Sequence, residues 1–191
     1  MELFESTRLK IGNSIFSKSI VKARRKVSYP GMSQIKKIGI IWDASKTIEF
    51  STLSKFHQRM QERNIDVKVF GYYPGKELPD QYTAIRFLTC MRRKDLNFFF
   101  IPASTEADVF IGTKFDILID VNFDRLFPLQ YITRLSAASF KVGLFNSETD
   151  SSTFDLMMEI KKPVKVDDYL TQVIHYLEMI NSGSAVTVVN Q

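Results

Sequence analysis

The sequence predicts an α/β fold: a three-layer, Rossmann-like sandwich with a mainly parallel sheet, preceded by a basic N-terminal helix. Three observations predict it. Continuous apolar runs at Lys36–Trp42 and Phe115–Val121 have the pattern of central strands buried on both faces. Segments of helical period separate the apolar runs, which is the order of βαβ units. Finally, basic residues concentrate ahead of the first strand. Residues 1–26 hold seven Lys and Arg against Glu2 and Glu5, a net of +5 that equals the net charge of the whole 191-residue chain. The expected organisation is a basic helical arm and linker over residues 1–32, a Rossmann-like domain over 33–182 and a tail over 183–191.

In the arm, Phe4, Ile11 and Ile15 share a helical face, with Leu9, Phe16, Ile20 and Ala23 in a neighbouring row. Pro30-Gly31 breaks the chain before the body. The first strand ends at Asp43, and Ile48, Leu53, Phe56 and Met60 then mark an amphipathic helix closed by Asn64. Ile65–Tyr73 is the second strand, stopped by Pro74-Gly75. Ala84–Cys90 reads as a strand or a short helix, and the aromatic, Pro-terminated Asn97–Pro102 as a strand. Thr105–Gly112 is a short helix and Phe115–Val121 the clearest strand. Phe127–Phe140 is a helix with Pro128 in its first turn, where the missing N–H does no harm. Lys141–Phe145 and Phe154–Ile160 are strands, and Val166–Asn181 is a strongly periodic helix.

Composition excludes several classes. A hydrophobic fraction of 45% suffices for a core and argues against wholesale disorder. The single cysteine, Cys90, rules out an internal disulfide or a multi-cysteine zinc site and is expected to be a buried apolar residue. A reducing compartment fits, so the expected location is cytoplasmic. No apolar run approaches the roughly 18 residues of a membrane span, and the N-terminus lacks the apolar core of a secretory signal. Beyond residue 26, 19 basic side chains balance 19 acidic ones, so the body is not a generally basic nucleic-acid binder.

In a parallel sheet the strand C-terminal ends gather at one edge, where ligands of open α/β folds bind. That rim would collect Asp43, Ser45, Tyr72, Ser104, Asp120, Asn122 and Asn146, with Tyr73 and Ser147 beside them. Asp43 and Asp120 are the candidate catalytic carboxylates, although neither has a visible acid or histidine partner. Asp120-Val-Asn122-Phe-Asp124 begins like a calcium loop, but Arg125 stands where the turn needs glycine and Tyr131 where it needs glutamate. Asp124 is read as a cap or first-turn acid of the next helix, and Asp116 as the start of its strand. Asp43-Ala-Ser-Lys-Thr opens a helix but lacks every glycine of the phosphate-binding fingerprints. His57 and His175 fall on separate helices, so no triad or metal centre is expected, and no cofactor is called for.

Phe115–Val121, Leu135–Ala138 and Val142-Gly143 together resemble a recurring segment of lipopolysaccharide heptosyltransferase-type glycosyltransferases. The resemblance implies one Rossmann-like half of a two-half enzyme, over residues 36–180. It departs from that pattern in two ways. The first loop of those enzymes carries a Gly-Asp pair whose Asp is the base, whereas Asp43 has no glycine beside it. The half that holds the nucleotide sugar has no counterpart here. The chain also resembles a bacterial family of uncharacterised single-domain proteins with the same F-D-x-L-I-D strand, which implies no activity.

Two classes of function are therefore expected. One is a binding or assembly module, non-enzymatic, whose arm (Arg8, Lys10, Lys18, Lys22, Arg24, Arg25, Lys26) meets RNA or a ribonucleoprotein, an anionic membrane surface or an acidic protein. The arm could instead pack on its own domain or on a second copy in a homodimer, and a chain starting near Ser33 is expected to keep its fold. The other class is an enzyme or ligand binder at the rim, acting on a nucleotide, sugar or phosphate compound.

Overall fold

The computed structural model describes residues 2–22, 25–29, 31–145, 153–160 and 163–180, with side chains of the first helix described from Phe4 to Ser19. Its elements are α1 (Glu2–Lys22), β1 (Lys37–Asp43), α2 (Phe50–Glu62), β2 (Asp66–Tyr73), β3 (Leu88–Arg92), α3 (Thr105–Gly112), β4 (Ile117–Asp120), α4 (Phe127–Leu135), β5 (Phe140–Leu144), β6 (Leu156–Met158) and α5 (Val166–Met179). The strands form one sheet in the order β3-β2-β1-β4-β5-β6, and every neighbouring pair is parallel. This is the doubly wound order. The chain runs outward from β1 to β3, then returns to β4, which lies on the other side of β1.

The expected centre of the sheet is correct. β1 pairs with β4, Ile38 opposite Ile117 and Ile41 opposite Asp120, and the side chains of both strands are buried on either face. Alternation divides the core in two. Ile38, Ile40, Trp42, Ile117 and Ile119 meet Leu53, Phe56 and Met60 of α2 and Tyr169, Val173 and Leu177 of α5. Ile41, Phe70 and Leu118 meet Ala107 and Phe110 of α3 and Leu129 and Ile132 of α4. The helix α1 lies against α4, as a further layer on that second face.

Several boundaries differ from expectation. Asn97–Pro102 is not a sheet strand; its residues form a tight loop closed by a single antiparallel bridge between Leu96 and Pro102. Residue 100, a phenylalanine, sits there at φ 61, a conformation no strand contains. The ambiguous segment before it resolves as β3, paired in parallel with β2. α4 stops at Leu135 rather than Phe140, because Ser136 turns extended and its hydroxyl accepts the Ala138 N–H. Ile48, expected on the apolar face of α2, is 90% exposed, since Thr47–Glu49 form a 3-10 turn that points it outward. Asn64 closes α2 at φ 59, the left-handed position that asparagine tolerates. Among the described residues no helix is long and apolar enough to cross a membrane. Arg24, Asn146 and the tail 183–191 lie outside the described residues, as does the side chain of Lys22.

Candidate functional site: strand-end rim and docked arm

Parallel pairing brings the rim residues to one end of the sheet. Asp43 lies opposite Tyr72 on β2, and Asp120 opposite Ile41 on β1, so both carboxylates emerge on the face that α3 and α4 cover. Each is buried. Asp43 Oδ1 accepts from the Ser45 backbone N–H at 3.0 Å and from its hydroxyl at 2.6 Å, closing the turn after β1. Asp120 Oδ1 accepts the Asn122 N–H, and its Oδ2 accepts the Thr133 hydroxyl of α4, both at 2.7 Å. Burial pushes the Asp120 carboxyl up to about 6, against the opposing pull of those two hydrogen bonds.

The other rim side chains are also occupied locally. Asn122 clamps the start of α4, accepting the Leu126 N–H at 3.0 Å and donating to its carbonyl at 3.2 Å. Ser104 caps α3 by accepting the Ala107 N–H. Burial raises the Tyr72 phenol. Asp124 is not a cap of α4, since Leu126 holds the cap position; its carboxylate meets Lys46 at 2.7 Å. That ion pair ties the loop after β1 to the loop after β4 across the switch point. Glu49, raised by burial, accepts from the Trp42 indole at 3.0 Å in the same region.

The remaining candidates fall apart. His57 stacks on Phe87 at 4.1 Å, with its imidazole pKa lowered by burial, while His175 is exposed on α5. Burial pushes the half-buried Cys90 thiol up to about 12, out of the range of a nucleophile at neutral pH. No group of three His, Cys, Asp or Glu that could hold a metal occurs among the described residues.

The arm is docked. Gly12 lets α1 approach the body closely, because a Cβ there would run into the Phe99 carbonyl oxygen. Phe16, 4% exposed, inserts its ring between Phe127 and Tyr131 of α4 at 5.8 and 5.2 Å. Arg8 donates from Nε to the Phe98 carbonyl at 2.6 Å, and Glu5 meets Arg93 at 3.3 Å. Beyond α1, Arg25 bonds both Asp155 oxygens at 2.7 Å and the Ser139 carbonyl, and Tyr29 donates to the Leu177 carbonyl. Of the seven expected partner cations, Arg8 and Arg25 thus serve the fold, whereas Lys10, Lys18 and Lys26 are exposed. An interior glycine in a helical pattern was the sequence signal of this close approach.

One buried cation was missed altogether. Lys141 of β5 is 1% exposed and donates to the Arg134 carbonyl at the end of α4 at 2.9 Å. Burial, with Arg25 nearby, holds its ammonium down to about 7.

No curated protein matches the chain, so the glycosyltransferase resemblance gains nothing from that comparison. Residues 8–180 match a Family of unknown function (DUF6913), a span from the docked half of α1 to the end of α5. With nine-tenths of its length inside that match, the chain belongs to this family of unknown function.

Proposed function

We propose that this protein is a binding module, not a catalyst, and that it meets an anionic partner through α1. One observation carries the reading. The segment that holds the whole net charge is clamped to the body by Phe16, Arg8 and Arg25, yet Lys10, Lys18 and Lys26 remain exposed on it. Cations on a docked segment present their charge at a lower ordering cost than cations on a free tail. The rim supports the same choice, because both Asp120 oxygens and Oδ1 of Asp43 are taken by neighbouring donors.

The test is a salt titration of polyanion binding, with heparin as the probe, on the wild type and on Lys10→Glu/Lys18→Glu. Wild-type affinity should fall steeply between about 50 and about 200 mM salt, and the double variant should show a weaker and flatter response. Binding that ignores salt, or that survives the double reversal, would count against α1. A second reading is a ligand site at the rim, favoured by the buried Asp120 at the switch point. The neighbouring Asp43, Glu49 and Asp124 make that rim acidic, which suits a hydroxyl-rich ligand such as a sugar better than a phosphate.

A further inference from the structure

We infer that the loop between β3 and α3, together with the N-terminal half of α1, forms a site for single-stranded nucleic acid, with Phe98 as its stacking ring. The inference rests on the anionic-partner reading of α1 and names the partner's chemistry.

The loop is built to project an aromatic side chain. Asn97 Oδ1 accepts the Phe99 and Ile101 N–H groups at 2.8 and 3.1 Å, and its own N–H donates to the Ile101 carbonyl at 2.8 Å. Phe100 is thereby held at φ 61, a costly position for a bulky residue that the surrounding bonds over-determine. Phe98 stands 65% exposed, whereas Phe99 and Phe100 are half-buried. The core does not use this ring; its contacts are with Phe99, edge-on at 5.4 Å, and with Arg8 of α1.

One cation lies against the ring, and others lie on the same segments. The Arg8 guanidinium lies 4.1 Å from the Phe98 centroid and 4.5 Å from that of Phe100, and Arg93 lies 6.0 Å from Phe100. Lys10 on α1 and Lys94 beside the loop are both exposed. Among nearby acids, Glu5 is paired with Arg93, and Asp95 accepts the Arg92 backbone N–H. A largely exposed ring, with Arg8 against it and exposed lysines on the same segments, offers a flexible strand both stacking and charge, since every base can stack and every phosphate is charged.

A lipid surface fits less well. At helical spacing the docked line of α1 runs through Arg8, Gly12 and Phe16, so the opposite, outermost line runs through Lys10, Ser14 and Ser17, all exposed. Helices that lie in a membrane interface turn their apolar face outermost, whereas the exposed Phe4, Ile11 and Ile15 of α1 share a face to the side of this polar outer line. Duplex nucleic acid fits less well too, because its bases are already stacked and Phe98 would have nothing to receive.

The experiment is fluorescence anisotropy with labelled oligouridine and oligothymidine of about 12 nucleotides, their duplexes, and phosphatidylserine vesicles in a flotation assay. The wild type should bind the single strands more tightly than the duplexes or vesicles, and the two oligonucleotides distinguish RNA from DNA. Phe98→Ala should weaken single-strand binding about tenfold with only a small shift of the thermal midpoint from the lost Arg8 contact, and Phe98→Trp should restore binding. If Lys10→Glu/Lys18→Glu abolishes binding while Phe98→Ala leaves it unchanged, the α1 reading stands and the stacking site is overturned. Preference for vesicles or duplexes overturns it equally. If the wild type binds no polyanion at all, both readings fall.

Discussion

Asp120 and Tyr169 illustrate how a polar group near the sheet edge can be structural. Asp120 finds two donors, but Tyr169, fully buried on α5 and packed edge-on against Phe123 at 5.2 Å, has a hydroxyl with no hydrogen-bond partner among the described residues. Burial, reinforced by the nearby Asp120 charge, holds that phenol well above its ordinary pKa. An unpaired buried hydroxyl costs about 1–3 kcal/mol relative to a satisfied one. Tyr169→Phe should therefore leave stability unchanged or raise it, as chemical denaturation would measure. A loss of more than about 1 kcal/mol would mean that the hydroxyl has a partner. The positions of Asp43 and Asp120 at the strand ends were legible, because an apolar run that stops at an acid marks its own end. That Thr133 takes up Asp120 was not, since the hydroxyl arrives from the next helix, 13 residues on, by a helix rotation no local pattern specifies.

At the scale of elements, legibility followed the number of buried faces. β1 and β4 are covered on both faces, so sequence and structure agree on them. Asn97–Pro102 misled for a related reason: three consecutive phenylalanines look like a doubly buried strand, but here they serve a loop against α1. The apolar rows of α1 showed that the helix had something to cover without showing what. The structure supplies α4, so whether a chain beginning near Ser33 keeps its fold turns on how much this packing contributes. Removing residues 1–32 would uncover Phe127 and Tyr131 and leave Asp155 without Arg25. Truncating a buried phenylalanine alone costs about 3–5 kcal/mol in a rigid core, and a surface-docked helix sits at the low end. Phe16→Ala should thus lower stability by about 3 kcal/mol and loosen α1, with faster amide exchange along α1 and along the face of α4 beneath it. An unchanged denaturation midpoint would show that the arm contributes nothing to the fold.

Taken as a whole, the molecule separates its charge from its titration. The surplus cations sit in the arm, while two buried groups, Asp120 and Lys141, respond to pH from inside the body. Both lie on the sheet face that α4 covers, Lys141 being paired with Leu118. Their signs are opposite. Asp120 is raised from 3.8 to about 6, so across that window the folded state holds a proton that the unfolded state has lost, and stability falls as pH rises through it. Lys141 is lowered from 10.5 to about 7, so above neutrality the unfolded chain holds the extra proton, and stability rises with pH toward 10.5. Between about 6 and 7 both groups carry their charge while buried, so their joint contribution is least favourable near neutral pH. Urea denaturation across pH should therefore show Asp120→Asn flattening the acid side, because the amide fits the same site without the charge. Lys141→Met should flatten the alkaline side and raise stability at pH 7, since a neutral side chain of similar length replaces an ammonium whose surroundings offer the Arg134 carbonyl on one side and Arg25 on another. If Lys141→Met instead destabilises at every pH, the bond from Lys141 to the end of α4 outweighs the burial of its charge, and the arm's Arg25 is not a source of repulsion but part of a satisfied network with Asp155.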